Sequence, residues 1–167
     1  MEKTIFHVDV NSAFLSWSAA YRVSVLGETT DLRDIPSAVA GDKDNRQGII
    51  LAKSQPAKKF GVQTGEPIFR AKQKCPGLVI VPPDYSLYVE ASRHFTALLR
   101  QVAPVVEQYS IDEAWVDMTG TEGLYGSPVA AAETLRQRIY DELGFTVNIG
   151  ISSNKLLAKM AGDFEKP

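Results

Sequence analysis

The chain reads as α+β, a sheet layered with helices on one face and carrying a small inserted lobe. Three observations predict this. Short apolar runs alternate with longer segments of helical apolar period. Two of those runs, Val105–Tyr109 and Ala114–Met118, are joined by the tight connection Ser110-Ile111-Asp112-Glu113, as in an antiparallel pair. The stretch 22–80 differs from both flanks, with shorter elements and an excess of basic residues.

The elements follow in order. Thr4–Val10 is a short apolar run ending near Asp9 and predicts a buried strand. Asn11-Ser12 offers a helix cap, and Ala13–Tyr21 predicts a helix. Residues 27–47 are rich in Gly, Asp, Thr and Pro and predict irregular chain, with a short strand at Ser37–Ala40. Gly48–Lys53 predicts a strand. Pro56–Phe60 predicts a short helix opened by proline and ended by Gly61. Pro67–Lys74 predicts another short helix, and Leu78–Val81 a strand before Pro82-Pro83. Asp84 can cap a long helix from Tyr85 to Val102, whose stripe is Val89, Phe95, Leu98, Leu99 and Val102. Pro128 to Leu143 predicts a helix with Val129, Ala132, Leu135 and Ile139 on one side. Phe145–Gly150 predicts a strand, and Ser152 or Ser153 the cap of a last helix bearing Leu156, Leu157 and Met160.

The 167 residues include 44% apolar and 23% charged side chains, the composition of a globular chain rather than of a disordered or collagenous one. Such a length buries enough surface for a real core. No run approaches the ~18 apolar residues that span a bilayer. Met1-Glu2-Lys3 leads straight into the first strand, so no export signal is expected. Cys75 stands alone, which excludes internal disulfides and cysteine-based zinc sites and fits a cytoplasmic protein. The net charge of −2 hides an asymmetry. Residues 41–74 carry eight Lys/Arg against three acids, and residues 105–145 carry eight acids against Arg136 and Arg138. One segment can meet phosphates and the other cations.

Asp9 ends an apolar strand, and Asp112-Glu113 lies between two others. Desolvating an anion is costly, so carboxylates in such places need compensation. If the three strands are neighbours, the three acids converge, and hard oxygen ligands suit Mg²⁺. Two such ions ~3.5–4 Å apart serve phosphoryl transfer by activating one oxygen and stabilising the one that leaves. Adjacent strand residues point to opposite faces, so Asp112 and Glu113 both reach such a site only if the connection distorts that alternation.

At this point the residues resemble a family. Phe6-His7-Val8-Asp9-Val10-Asn11-Ser12-Ala13-Phe14 is followed by Ala57-Lys58-Lys59-Phe60-Gly61-Val62 with Gly65 and Pro67. Next come Tyr109-Ser110-Ile111-Asp112-Glu113-Ala114-Trp115-Val116-Asp117 and Gly150-Ile151-Ser152-Ser153-Asn154-Lys155-Leu156-Leu157-Ala158-Lys159. In order and spacing these are similar to the Y-family translesion DNA polymerases, the DinB/UmuC or ImpB/MucB/SamB group. The resemblance implies a ferredoxin-like polymerase palm, residues 1–21 and 78–167, with a small inserted fingers lobe, residues 22–77. It implies that Asp9, Asp112 and Glu113 are catalytic and, with the Val10 carbonyl, bind two Mg²⁺ ions. Phe14 matches the aromatic gate that excludes a ribose 2′-hydroxyl, and Lys166 the lysine that reaches the triphosphate. Gln55 and Lys58 stand where the family commonly has Tyr and Arg, so they are the expected nucleotide contacts, weakened by loss of the bidentate fork. The implied partners are primer–template DNA and deoxynucleoside triphosphates, with a sliding clamp reached through regions outside these residues, and no membrane.

Other departures also count. Asn11 replaces a frequent second Asp, and Ile49 and Leu51 are bulkier than the residues that give some members a roomy lesion pocket. Family members continue into a thumb and a C-terminal DNA-gripping domain, which implies that this chain is the palm-and-fingers portion of a longer protein. Two other functions stay open on sequence alone. One is a nucleotidyl cyclase on a similar palm-like layer. The other is an interaction module of the same descent with weakened catalysis.

Overall fold

A computed structural model describes residues 1–41 and 48–167. Lys43 and Arg46 of the basic stretch lie outside the described residues. The chain packs into two compact units, one of residues 1–11 and 89–167 and one of residues 12–88.

In chain order the elements are β1 (Ile5–Val10), α1 (Ala13–Ser24), β2 (Ser37–Ala40), β3 (Ile50–Lys53), α2 (Gln55–Lys59), α3 (Ile68–Lys74) and β4 (Val79–Val81). They continue with α4 (Tyr85–Val102), β5 (Val105–Gln108), β6 (Glu113–Asp117), α5 (Glu122–Tyr125), α6 (Pro128–Leu143), β7 (Val147–Ser152) and α7 (Lys155–Phe164).

The first unit holds the sheet β5-β6-β1-β7, with β1 antiparallel to both β6 and β7. All six residues of β1 are buried, including His7 and Asp9. Both faces of β1 are therefore covered, while the flanking β5 and β6 stay partly exposed. The second cover is α7. Gly150 of β7 lies opposite His7 of β1, and a methyl built on Gly150 would overlap the Ala158 carbonyl oxygen and the Gly162 nitrogen, with the Gly162 α-carbon at 2.9 Å. The helix backbone thus rests directly on the strand, because Gly150 and Gly162 have no side chains to hold the two apart. Phe95 of α4 meets Phe145 edge-on at 6.2 Å, and Leu98, Leu99, Leu135 and Ile139 are buried with them.

Helix ends follow local chemistry. The Asp84 carboxylate accepts from Leu87 N at 3.0 Å, the cap expected for α4. Ser127 caps α6 ahead of Pro128, and Gly144 closes it at φ 80°. Asn154, rather than Ser152 or Ser153, caps α7. Those serines are instead taken up by β7 and the turn after it, since β7 pairs with β1 as far as Ser152. The single turn α5 has no apolar period and was not predicted. Ser12 does not cap α1 with its side chain either. It adopts φ 45°, and the preceding Asn11 amide donates to Thr146 Oγ1 at 3.0 Å.

The second unit is built on the sheet β3-β2-β4, with β2 antiparallel to β3 and parallel to β4. Small strand residues let helices approach both faces. Ala38, Ala40 and Ile50 pack with Ala57, Ile68, Ala71 and Cys75, so the lone cysteine is a core residue. Val39, Ala52 and Val81 pack with Leu15, Ala19 and Leu32. This contact draws α1 into the second unit, so the packing divides the chain at 11/12 and 88/89, whereas the sequence suggested 21/22 and 77/78.

Ser54 ties this unit together. Its hydroxyl accepts from Ser37 N at 3.0 Å and Ala57 N at 3.1 Å and donates to the Ile35 carbonyl at 2.7 Å. Ser54→Ala removes a helix cap and leaves a buried amide unpaired. It should cost about 2–3 kcal/mol in urea unfolding.

Candidate active site

The site in the first unit starts from strand pairing. Asp9 lies opposite Glu113 across β1 and β6, so their side chains share a face, as do His7 and Trp115 two residues on. Asp112 precedes β6 in a bend, outside the strand alternation. Its carbonyl accepts from Val10 N at 3.0 Å. The Ser110 hydroxyl reaches Asp112 Oδ1 at 2.8 Å and Glu113 Oε2 at 3.2 Å, which places both neighbouring carboxylates on one side. The bend thus resolves the conflict that ideal alternation posed. Ser92 of α4 braces it by donating to the Ile111 carbonyl at 2.5 Å.

Two lysines compensate the anions. Lys166 pairs with Asp9, and Lys159 of α7 with Glu113. Glu113 Oε1 also meets His7 Nε2 at 3.1 Å. Burial lowers the His7 pKa, with Lys159 adding to it against the pull of Glu113 and Asp9. Because a carboxylate oxygen accepts, the ring donates through Nε2. Burial pushes the Asp9 carboxyl up, and Asp112 and Glu113 add to this, which together outweighs the Lys166 contact. At Glu113, burial acts upward but Lys159, Ser110 and His7 prevail, so its carboxyl is held low. The Lys166 ammonium is raised, since Asp9 outweighs its own burial.

Among the described residues, no three acids, histidines or cysteines are set as a metal-ion cluster. In this arrangement Glu113 is turned to His7 and Lys159, and Asp9 to Lys166. The donor chemistry nevertheless fits a hard cation. Asp9 feels both neighbouring carboxylates, and positive charge already stands at two of the three.

The remaining sequence-predicted residues lie in the second unit, apart from Lys166. Phe14 stacks on Tyr88 at 4.4 Å and 8°, with Tyr85 edge-on at 6.1 Å. Tyr88 is itself fixed by the Ser18 hydroxyl at 2.8 Å. Gln55 and Lys58 are exposed and one helical turn apart on α2. Burial, then Lys58, lowers the pKa of Lys53, another member of the basic stretch. Sequence reasoning passed over His7, Ser110 and Lys159. His7 was legible two residues before Asp9, on the same strand face, whereas Lys159 needed the docking of α7.

The impB/mucB/samB family description matches residues 8–163. The chain is 49% identical over its whole length to DNA polymerase IV of Clostridium acetobutylicum, covering 42% of that protein. It is 43% identical to DNA polymerase IV of Alkaliphilus oremlandii, covering 40%. The solved DinB of Sulfolobus solfataricus matches 98% of this chain at TM-score 0.82 and 28% identity, with 46% of that chain covered. A Y-family DNA polymerase chimera matches at TM-score 0.85, 29% identity and the same coverages. The chain therefore spans about two-fifths of the length of these curated relatives. Among the described residues, no helix is long and apolar enough to cross a membrane. With the ordered motifs, the strand-end carboxylates and the palm-and-fingers fold in agreement, this chain belongs to the impB/mucB/samB family of Y-family DNA polymerases.

Proposed function

We propose that the chain is the catalytic palm and fingers of a longer cytoplasmic enzyme that adds deoxynucleotides to a primer 3′-hydroxyl during bypass of damaged DNA. The observation that supports this reading is the pairing of Asp9 opposite Glu113 across β1 and β6, with the Asp112 carbonyl bonded to Val10 N, in a chain of this family. By motif order we assign residues 1–21 and 78–167 to the palm and 22–77 to the fingers.

Asp9, Asp112 and Glu113, with the Val10 carbonyl, would hold two Mg²⁺ ions. When bound, these polarise the attacking hydroxyl and offset charge on the departing pyrophosphate. The protein's own part is positioning. Ser110 and His7 fix the carboxylates, and the Val10–Asp112 main-chain bond ties the two strand ends together. Gln55, Lys58 and Lys166 neutralise and orient the triphosphate, with Lys58 acting as a point charge. Phe14, held by its stack on Tyr88, occupies the room a 2′-oxygen needs. The partners are primer–template DNA and deoxynucleoside triphosphates, with a sliding clamp engaged by regions outside this chain. One of the matched structures is an insertion ternary complex of Dbh DNA polymerase, with TM-score 0.83 and 29% identity.

The test is Mg²⁺-dependent primer extension by the longer protein, run beside Asp112→Asn. Extension by the parent and a loss of about 10²–10³-fold or more in the variant are expected. Equal extension by both would remove Asp112 from the site, and extension by neither would remove the reading.

A further inference from the structure

Lys159 has no role in the family-derived site, yet it makes a direct contact with one of the three carboxylates. Its ammonium pairs with Glu113 Oε1, the oxygen that also accepts from His7 at 3.1 Å. It lies 5.3 Å from the centre of the Tyr109 ring, a cation–π contact that holds it from a second side. The Glu113 side chain is 17% exposed and that of Lys159 34%, so the pair is only partly screened by water. The placement is rigid, because α7 rests backbone-to-backbone on β7 at Gly150 and Gly162.

A carboxylate oxygen engaged by an ammonium offers less to a metal ion, and a fixed positive charge repels any cation that arrives. We propose that Lys159 is the internal counter-cation of this site: it holds Glu113 by charge when no divalent ion is bound, yields it when one binds, and so sets the site's cation affinity. The inference rests on reading Asp9, Asp112 and Glu113 as cation ligands. His7 has the complementary part. Its ring Nε2 keeps hold of Glu113 Oε1 by a hydrogen bond of 3.1 Å. Lys159 is accordingly a positioning residue, one that acts through Glu113.

The experiment is Mn²⁺ titration of this chain by electron paramagnetic resonance, with thermal melting in the absence and presence of Mn²⁺. The variants are Lys159→Met, Lys159→Gln, Lys159→Arg and Asp9→Asn. Lys159→Met and Lys159→Gln should bind Mn²⁺ about 3- to 10-fold more tightly, melt lower without the ion and recover with it. Lys159→Arg, which keeps the charge, should stay close to the parent. Unchanged or weaker binding in whichever neutral variant keeps native circular dichroism overturns the inference while leaving the ligand reading intact. Binding that is untouched by Asp9→Asn, or absent from the parent and the neutral variants alike, overturns the ligand reading and the inference with it.

Discussion

Gly150→Ala is expected to lower the stability of the first unit by about 3 kcal/mol or more. The new methyl would meet main-chain atoms of Ala158 and Gly162 rather than the tip of a flexible side chain. No rotamer change can relieve that overlap, so α7 must lift from β7. Lifting α7 also withdraws Lys159 from Glu113 and uncovers His7, which is 1% exposed. A single methyl therefore acts on packing and on charge compensation together. Urea unfolding of parent and variant measures the effect. A midpoint equal to that of the parent would mean that α7 is not seated on β7 at Gly150.

Asp9→Asn is expected to separate function from stability. On the proposed function it should reduce nucleotide transfer by the longer protein by about 10²–10³-fold or more, because a neutral amide would replace a charged cation ligand. In this chain it should leave stability unchanged or raise it by about 1 kcal/mol at neutral pH. The sign follows from linkage. Burial raises the Asp9 pKa above the ordinary carboxylate value, so the folded state holds that proton more firmly than the unfolded one. The resulting stabilisation is complete below the unfolded pKa and is lost as pH rises through the folded pKa. The carboxylate is thus a liability at neutral pH, and the amide removes it. The Lys166 side chain, 40% exposed, can return to water when its partner is neutralised. Urea midpoints from acid to neutral pH should show the variant gaining on the parent as pH rises. A variant at least 2 kcal/mol less stable at neutral pH would contradict this account of Asp9.

Much of the fold was legible because local patterns and tertiary packing agree. The apolar run of β1 suits a strand covered on both faces, and the Leu98/Leu99/Val102 stripe with the Asp84 cap gave α4 both ends. Where they disagreed, pairing won. β7 begins and ends two residues later than its apolar run suggested, because its register with β1 fixes Ile5 against Ser152 and Val10 against Val147. The cap expected at Asn11-Ser12 gave way because the Asn11 side chain is drawn to Thr146, a residue 135 positions away.

The family and most of the elements were readable along the chain in contiguous motifs, and so were the positions of Asp9, Asp112 and Glu113 beside apolar strands. What surrounds those acids came from packing between distant segments. Lys159 and His7 meet Glu113 across 46 and 106 residues of chain, and Lys166 meets Asp9 across 157. Such contacts depend on strand register and on a helix seated where two glycines let backbones touch. Charge compensation is set by distance in space, which spacing along the chain does not encode.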